Sequence, residues 1–280
     1  MDIKPLTGIP TSVLHKAFLL AFSDYQIAVE STEKKMVESN CQRGIDYSCS
    51  FGAFTDCGEL AGFIFCGVRK IGEHLLFYDG ATGVIPPYRG QNIAGKLLDA
   101  AIEKARSIGA HAFILEVLKN NERAIPVYRS RGFSETRTLI CYEKKRREIT
   151  HTCFKKFDER IPDRQSFIKL SEKLPLAYAP SWQNSTSAVT AIYDRLTVRS
   201  YSLNNRDIGY FVLDSRTGSI LQVAAEDHSL LSFLFASAAK HTDRSNLRLI
   251  NIEQDSPLDL FAQRQGWNFL IDQFEMTKQL

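Results

Sequence analysis

Hydrophobic residues along this 280-residue chain change their spacing several times, and each change marks a structural element. From Thr11 to Val29, Leu14, Ala17, Phe18, Ala21 and Phe22 recur at three- and four-residue intervals, which predicts a helix. A second helix is predicted after Ser31-Thr32, with Glu33 at its start. The period then shortens. Tyr47 to Thr55 and Ala61 to Val68 are rich in aromatic and apolar residues and flank Gly58-Glu59, the pattern of a hairpin. Leu75 to Val84 is a third strand, ended by Pro86-Pro87 because proline cannot donate to a ladder. Ile93, Leu97, Leu98, Ala101, Ala105 and Ile108 return to helical spacing, and Gly109 closes that helix. A buried strand from Ala112 to Leu118, a helix from about Asn121 to Ser130 ended by Gly132, and a strand from Thr136 to Tyr142 follow.

The run Glu143-Lys144-Lys145-Arg146-Arg147 interrupts this grammar and reads as a solvated linker helix. It places a domain boundary near residue 148, giving domains 1–148 and 149–280. The second domain then repeats part of the first. Ile208 to Leu213 and Ser219 to Ala225 form a hairpin around Arg216-Thr217-Gly218, Leu230 to Lys240 is helical, and Leu247 to Ile252 is a buried strand. A helix around Leu258 to Arg264 and a last strand from Phe269 to Met276 complete it. Ile114-Leu115-Glu116-Val117 matches Leu249-Ile250-Asn251-Ile252, and Arg131-Gly132-Phe133 matches Gln265-Gly266-Trp267, which reads as an internal duplication.

Composition narrows the class. A net charge of +3 suits a protein with an anionic ligand and is too small to argue for nucleic acid. No apolar run approaches the length that spans a bilayer. The six cysteines fall at 41, 49, 57, 66, 141 and 153, with no C-x-x-C pair. The six histidines show no H-x-x-x-H spacing, so no metal site is expected. Met1-Asp2-Ile3-Lys4-Pro5 lacks the features of a secretory signal, so a cytoplasmic protein with reduced thiols is expected.

The chemistry concentrates between Gly83 and Tyr128. Gly83-Val84 ends a strand, Arg89-Gly90-Gln91-Asn92-Ile93-Ala94-Gly95 forms a small-residue loop, and the helix begins at once. The first amides of a helix have no intrahelical partner and carry the positive end of its dipole. Small residues let backbone approach closely, so this turn is an anion site suited to a pyrophosphate.

Arg89-Gly90-Gln91-Asn92-Ile93-Ala94 resembles the pyrophosphate motif Arg/Gln-x-x-Gly-x-Gly/Ala of the GNAT N-acetyltransferase superfamily. Asn92 stands where that family usually has glycine; asparagine tolerates the left-handed conformation better than most residues. Leu115-Glu116-Val117, Asn121-Glu122-Arg123-Ala124, Tyr128 and Gly132-Phe133 are similar to the family's second half-site, in the same order and at its intervals. The resemblance covers residues 10 to 143. It implies an α/β fold of tandem mixed sheets flanked by helices, with acetyl-CoA as cosubstrate and direct transfer of the acetyl group to a primary amine of a small molecule or peptide.

It further implies that Asn121 contacts the cosubstrate, that Tyr128 is general acid toward the leaving thiolate, and that Glu116 is general base. Asp79, on the preceding strand, is a rival base. Amides near Gly83 and Val84 are placed to bond the pantetheine arm and polarise the thioester carbonyl. Asp24, Tyr25 and Glu30 are candidates for holding a cationic acceptor. The second domain has Glu226-Asp227-His228 where the first has its small-residue loop, and Ala262 in place of Tyr128, so it reads as a degenerate, non-catalytic copy. Two other functions fit the same residues: an acyl-CoA-binding regulatory module without turnover, motivated by Asn92, and a nucleic-acid-associated protein using residues 144–147. The sequence sets no oligomeric state.

Overall fold

The computed structural model describes residues 1–24, 31–150 and 156–280. In chain order the elements are β1 Asp2–Pro5, α1 Thr11–Ala21, α2 Glu33–Arg43, β2 Phe51–Phe54, β3 Leu60–Ile71, β4 His74–Val84, α3 Ile93–Ser107, β5 Ala112–Leu118, α4 Ala124–Arg129 and β6 Ser134–Lys145. They continue with β7 Asp158–Arg160, α5 Arg164–Lys173, α6 Thr186–Ala191, β8 Thr197–Leu203, β9 Arg206–Asp214, β10 Ser219–Ala225, α7 Leu231–Ala239, β11 Asn246–Glu253, α8 Pro257–Arg264 and β12 Asn268–Gln279. The chain divides into two compact units: Met1–Thr136 together with Phe274–Leu280, and Arg137–Gln273.

In the first unit the strands lie in the order β1-β2-β3-β4-β5, followed by the end of β12. β1 to β4 are antiparallel to their neighbours, and β4 runs parallel to β5. β3 is apolar on both faces because helices cover both. Phe63 and Phe65 pack with Leu14, Ala17 and Ala21 of α1, whereas Ile64 and Cys66 join Leu97, Leu98 and Ala101 of α3. Met276, fully buried, completes the α3-side core. The sequence around Phe133 provides one strand before the basic run, and the chain's last residues provide the next: the Leu280 amide donates to His111 O at 3.2 Å and Thr136 Oγ1 to Glu275 O at 3.1 Å.

In the second unit the order from Arg137 is β6-β11-β10-β9-β8-β7, with β10 parallel to β11 and the other pairings antiparallel. The same two-faced alternation recurs. Phe211, Leu213 and Val223 meet α7 and α8, and Tyr210, Val212 and Leu221 meet α5 and α6. The duplicated turn is explicit in the hydrogen bonds. The Phe133 amide donates to Tyr128 O, and the Trp267 amide to Ala262 O, each around a left-handed glycine, Gly132 at φ +82° and Gly266 at φ +65°.

Two differences from the sequence reading have clear causes. Residues 143–145 are strand rather than linker helix. β11 supplies partners for the charges, with Arg248 opposite Glu143 and Asn246 opposite Lys145, and Asn246 Nδ2 donates to Glu143 Oε2 at 3.2 Å. Alternating charge on a paired strand is compatible with β structure when its neighbours bond it. The sequence pattern predicts no element between 158 and 203, where the structure has β7, α5, α6 and β8. β1 escapes the same reading because only four residues form it and most are exposed.

Candidate active site

The first unit's two central strands part. β4 and β5 pair in parallel from Leu76↔Ala112 to Asp79↔Leu115 and no further, although β4 continues to Val84 and β5 to Leu118. α3 follows β4, and α4 follows β5. A cleft of about 710 Å³ opens between these elements. Gly83 and Val84 line it from β4; Gly90, Asn92, Ile93, Ala94 and Gly95 from the turn into α3; Asn121 and Tyr128 from the far side.

The turn has the geometry an anion site needs. The first bond of α3 runs from the Lys96 amide to Asn92 O at 3.1 Å, so the amides of Ile93, Ala94 and Gly95 have no intrahelical acceptor. Gly90 is left-handed at φ +80°, with open space where a side chain would begin. Asn92 is also left-handed, at φ +55°, so asparagine supports the conformation for which glycine is usual. Over Gly95 the side chains of Arg131 and Asn92 close in; a Cβ there would meet Arg131 Nη2 at 2.0 Å and Asn92 Oδ1 at 2.3 Å. Gln91 is exposed and outside the lining.

Arg89 lines the cleft, but its donors are committed elsewhere. Nη1 and Nη2 form a bidentate pair with Asp24 at 2.6 and 2.8 Å, Nη2 also donates to Ala21 O, and Nε donates to Val84 O. The side chain therefore clamps the end of α1 to the end of β4. The Arg89 hydrogen bond holds the Asp24 carboxyl down to about 2. Asp24 is thereby paired, and the other acceptor-side candidates, Tyr25 and Glu30, lie outside the described residues.

Alternation along β4 sends Tyr78 and Asp79 to opposite faces. Asp79 is 5% exposed; its Oδ2 accepts from Thr82 Oγ1 at 2.7 Å and from the Tyr128 hydroxyl at 3.1 Å. Burial pushes its carboxyl up to about 6, against those two hydrogen bonds and one from the Ala81 amide. On the other face the Tyr78 hydroxyl donates to Glu116 Oε2 at 3.2 Å, and burial pushes the Tyr78 phenol well up. Glu116 is the first residue past the last β4–β5 pair, at the fork itself, though not in the cleft lining. Asn121 Oδ1 accepts the Ala124 amide at 3.1 Å and so shapes the entry to α4.

The structure thus joins Tyr128 to Asp79 and joins Glu116 to Tyr78. Thr82, Tyr78 and Arg131 were not singled out by the sequence. Tyr78-Asp79 on one strand, with one residue for each face, is the signal that could have found the first two.

The equivalent fork in the second unit is filled. β10 and β11 pair only at Ser219↔Arg248 and Ile220↔Leu249, and the chain's own segment from Leu176 to Asn184 enters the gap. Leu176 bridges Ala224, whose other edge already pairs with Tyr210 of β9. The Tyr178 hydroxyl donates to Leu221 O at 2.6 Å, Gln222 Nε2 to Asn184 O at 2.7 Å, and Asn184 Nδ2 to Ile250 O at 2.6 Å. At the start of the short turn before α7, Asp227 accepts the Ser229 amide, which puts a carboxylate where the first unit has open amides.

Residues 15–133 match the family described as acetyltransferase (GNAT) family. Among curated proteins, N-alpha-acetyltransferase MAK3 of Arabidopsis thaliana is 33% identical over 88 residues, 30% of this chain and 45% of that protein. N-alpha-acetyltransferase 30 of Schizosaccharomyces pombe is 34% identical over 71 residues, 25% of this chain and 47% of that protein. The chain spans less than half the length of each. Among solved structures, a tandem GNAT protein from the clavulanic acid biosynthesis pathway superposes with a TM-score of 0.72 at 13% identity, covering 99% of this chain and 98% of that one. A GCN5-related N-acetyltransferase from Sphaerobacter thermophilus gives 0.69 at 11% identity, covering 99% and 95%. These structural likenesses bear on the fold alone.

Proposed function

We propose that the cleft, within the residues 15–133 that match the acetyltransferase (GNAT) family, binds acetyl-CoA and that the protein transfers the acetyl group to a primary amine of a peptide or small molecule. The observation that carries this reading is the parting of β4 and β5 directly beside the unbonded amides of α3. A diphosphate fits those amides, and the fork exposes strand edge to an extended amide-bearing arm. Two of the curated relatives are N-alpha-acetyltransferases, which favours a peptide amino terminus as the first acceptor class to test.

The chain's residues divide the work. An α-amine near pKa 8 is largely protonated at pH 7 and must lose a proton to attack. Glu116, at the fork, serves as the base, directly or through a water. Tyr128, on the cleft wall, gives its hydroxyl hydrogen to the sulfur as the C–S bond breaks. Backbone amides near Gly83 and Val84 steady the carbonyl oxygen. Arg89 acts as the clamp that holds α1 beside the cleft, and the amides rather than its guanidinium form the diphosphate cradle.

Thiol release from acetyl-CoA over a panel of peptides and small amines tests the reading. Release that depends on the amine is expected; tight binding without release from any acceptor would replace it with an acyl-CoA-binding module. Gly90→Val is expected to raise the dissociation constant for coenzyme A about tenfold or more, because a β-branched residue strains at φ +80° and intrudes on the cradle. The filled fork of the second unit supports a non-catalytic role for it. Isothermal titration with coenzyme A is expected to give one site per chain, and two sites would contradict that assignment.

A further inference from the structure

A phenol carries one hydrogen, and in this structure the Tyr128 hydrogen lies in the bond to Asp79 Oδ2, 3.1 Å away. While Asp79 is ionised, that hydrogen is held away from the cleft. The same heavy-atom positions allow a second arrangement. A protonated Asp79 donates its own hydrogen to the Tyr128 oxygen, and the Tyr128 hydrogen turns to the cleft, which Tyr128 lines and Asp79 does not. Asp79 Oδ1 is buried and without a hydrogen bond, so the bond to Tyr128 is made through Oδ2.

Resting on the acetyl-transfer reading, we propose that Asp79 is a positioning residue that stores a proton behind Tyr128 and replaces the one Tyr128 gives to sulfur. As the C–N bond forms and the C–S bond breaks, the sulfur takes the Tyr128 hydrogen and the Tyr128 oxygen takes the hydrogen from Asp79 Oδ2. Asp79 is left ionised. The amine gives up two protons, one before attack and a second from nitrogen as the amide forms, both leaving through Glu116 to water. Asp79 regains one from solvent before the next turnover, so an ammonium and a thioester give an amide, a thiol and one released proton. The relay runs downhill, because a carboxylic acid is a much stronger acid than a phenol and still stronger than a thiol. Burial favours its protonated form, holding the carboxyl near 6. The groups that face it are Cys66 on β3, Thr82 and the Ala81 amide on β4 and Tyr128 on α4, with Tyr78 next to it on the opposite face; burial raises both the Cys66 thiol and the Tyr78 phenol, so neither brings a charge at neutral pH.

The test is kcat against pH for the full chain, Asp79→Asn and Thr82→Val, with coenzyme A affinity and Tm measured alongside. The wild-type protein is expected to lose kcat on the alkaline side as Asp79 ionises. In Asp79→Asn the amide permanently donates to the Tyr128 oxygen, so that limb should vanish while kcat below it falls less than about tenfold. Thr82→Val removes a bond that favours the carboxylate, and should move the limb up by roughly half a unit to one unit. Loss of about 100-fold or more in a folded Asp79→Asn that still binds coenzyme A would make Asp79 the base and overturn the proposal. So would a limb unmoved in Thr82→Val, a readout that survives if Asp79→Asn does not fold. If the wild-type protein binds coenzyme A yet releases no thiol, the acetyl-transfer reading itself fails and this inference falls with it.

Discussion

Tyr128→Phe is expected to cut turnover about 100-fold or more at neutral pH and to leave coenzyme A affinity within about threefold. The two effects separate because the ring and the hydroxyl do different things. The ring is buried in the α3-side core, with its centroid 5.9 Å from that of Phe133 in an edge-on arrangement, and phenylalanine keeps all of that packing. The hydroxyl is what reaches Asp79 and, when turned, the cleft. Removing it takes away the only hydrogen on that wall argued to reach sulfur. Asp79 then keeps Thr82 alone as a side-chain donor, so stability should fall by about 1–2 kcal/mol, the usual effect of losing one buried hydrogen bond. Single-turnover kinetics with titration of coenzyme A separates the outcomes. Unchanged turnover removes Tyr128 from the mechanism, and a matched loss of affinity would recast it as a binding residue.

The elements that frame this site were legible because they are long and strongly periodic. β5 falls from Ala112 to Leu118, where an apolar run predicts it, and α3 ends within two residues of its glycine stop. The small-residue turn and Tyr128 could be placed on opposite walls of one cleft for the same reason. What the sequence hid was pairing. Arg89 sits in the expected motif, yet its partners are a carboxylate 65 residues away and two carbonyls. Asp79 reads as a rival base, and its hydrogen bond to Tyr128, 49 residues on, is a contact no local pattern shows. The basic run at 144–147 reads as linker because its strand neighbour is about a hundred residues distant in sequence. The first unit's last strand comes from the far end of the chain, a connection no local period carries.

The second unit keeps the strand and helix order of the first while its fork is occupied by the chain itself. Both units keep a parallel pair that parts, a helix after the first strand and a left-handed glycine after the second helix. In the second, hydrogen bonds to Leu221 O and Ile250 O, which an incoming arm would need, are taken by Tyr178 and Asn184. Buried Trp182 and Asn184 belong to the core of that unit, so the filled fork is a stable packing arrangement rather than a lid. Glu226-Asp227 and Ala262 mark the difference between the units in the sequence, but the segment that occupies the gap lies in the stretch with the weakest periodicity.

Glu116→Gln is expected to lower kcat/KM about 100-fold at pH 7, with a deficit that shrinks as pH rises. Glutamine keeps an oxygen to accept the Tyr78 hydroxyl, so the contact at 3.2 Å survives and the fork keeps its geometry. What is lost is the negative charge and with it the capacity to take a proton. An α-amine with a pKa near 8 sheds its proton unaided in alkaline solution, so a base becomes dispensable there. A purely structural role for Glu116 predicts instead a deficit that is independent of pH and accompanied by a lower Tm. The contrast with Asp79→Asn makes the two carboxylates distinguishable in one set of pH profiles. Losing the base should be repaired by raising pH, because it acts on the amine's proton. Losing the stored proton should abolish the alkaline decline, because it acts on the sulfur's. If both variants instead show the same pH response, the two faces of β4 do not divide the proton traffic, and Glu116 and Asp79 must serve one shared step.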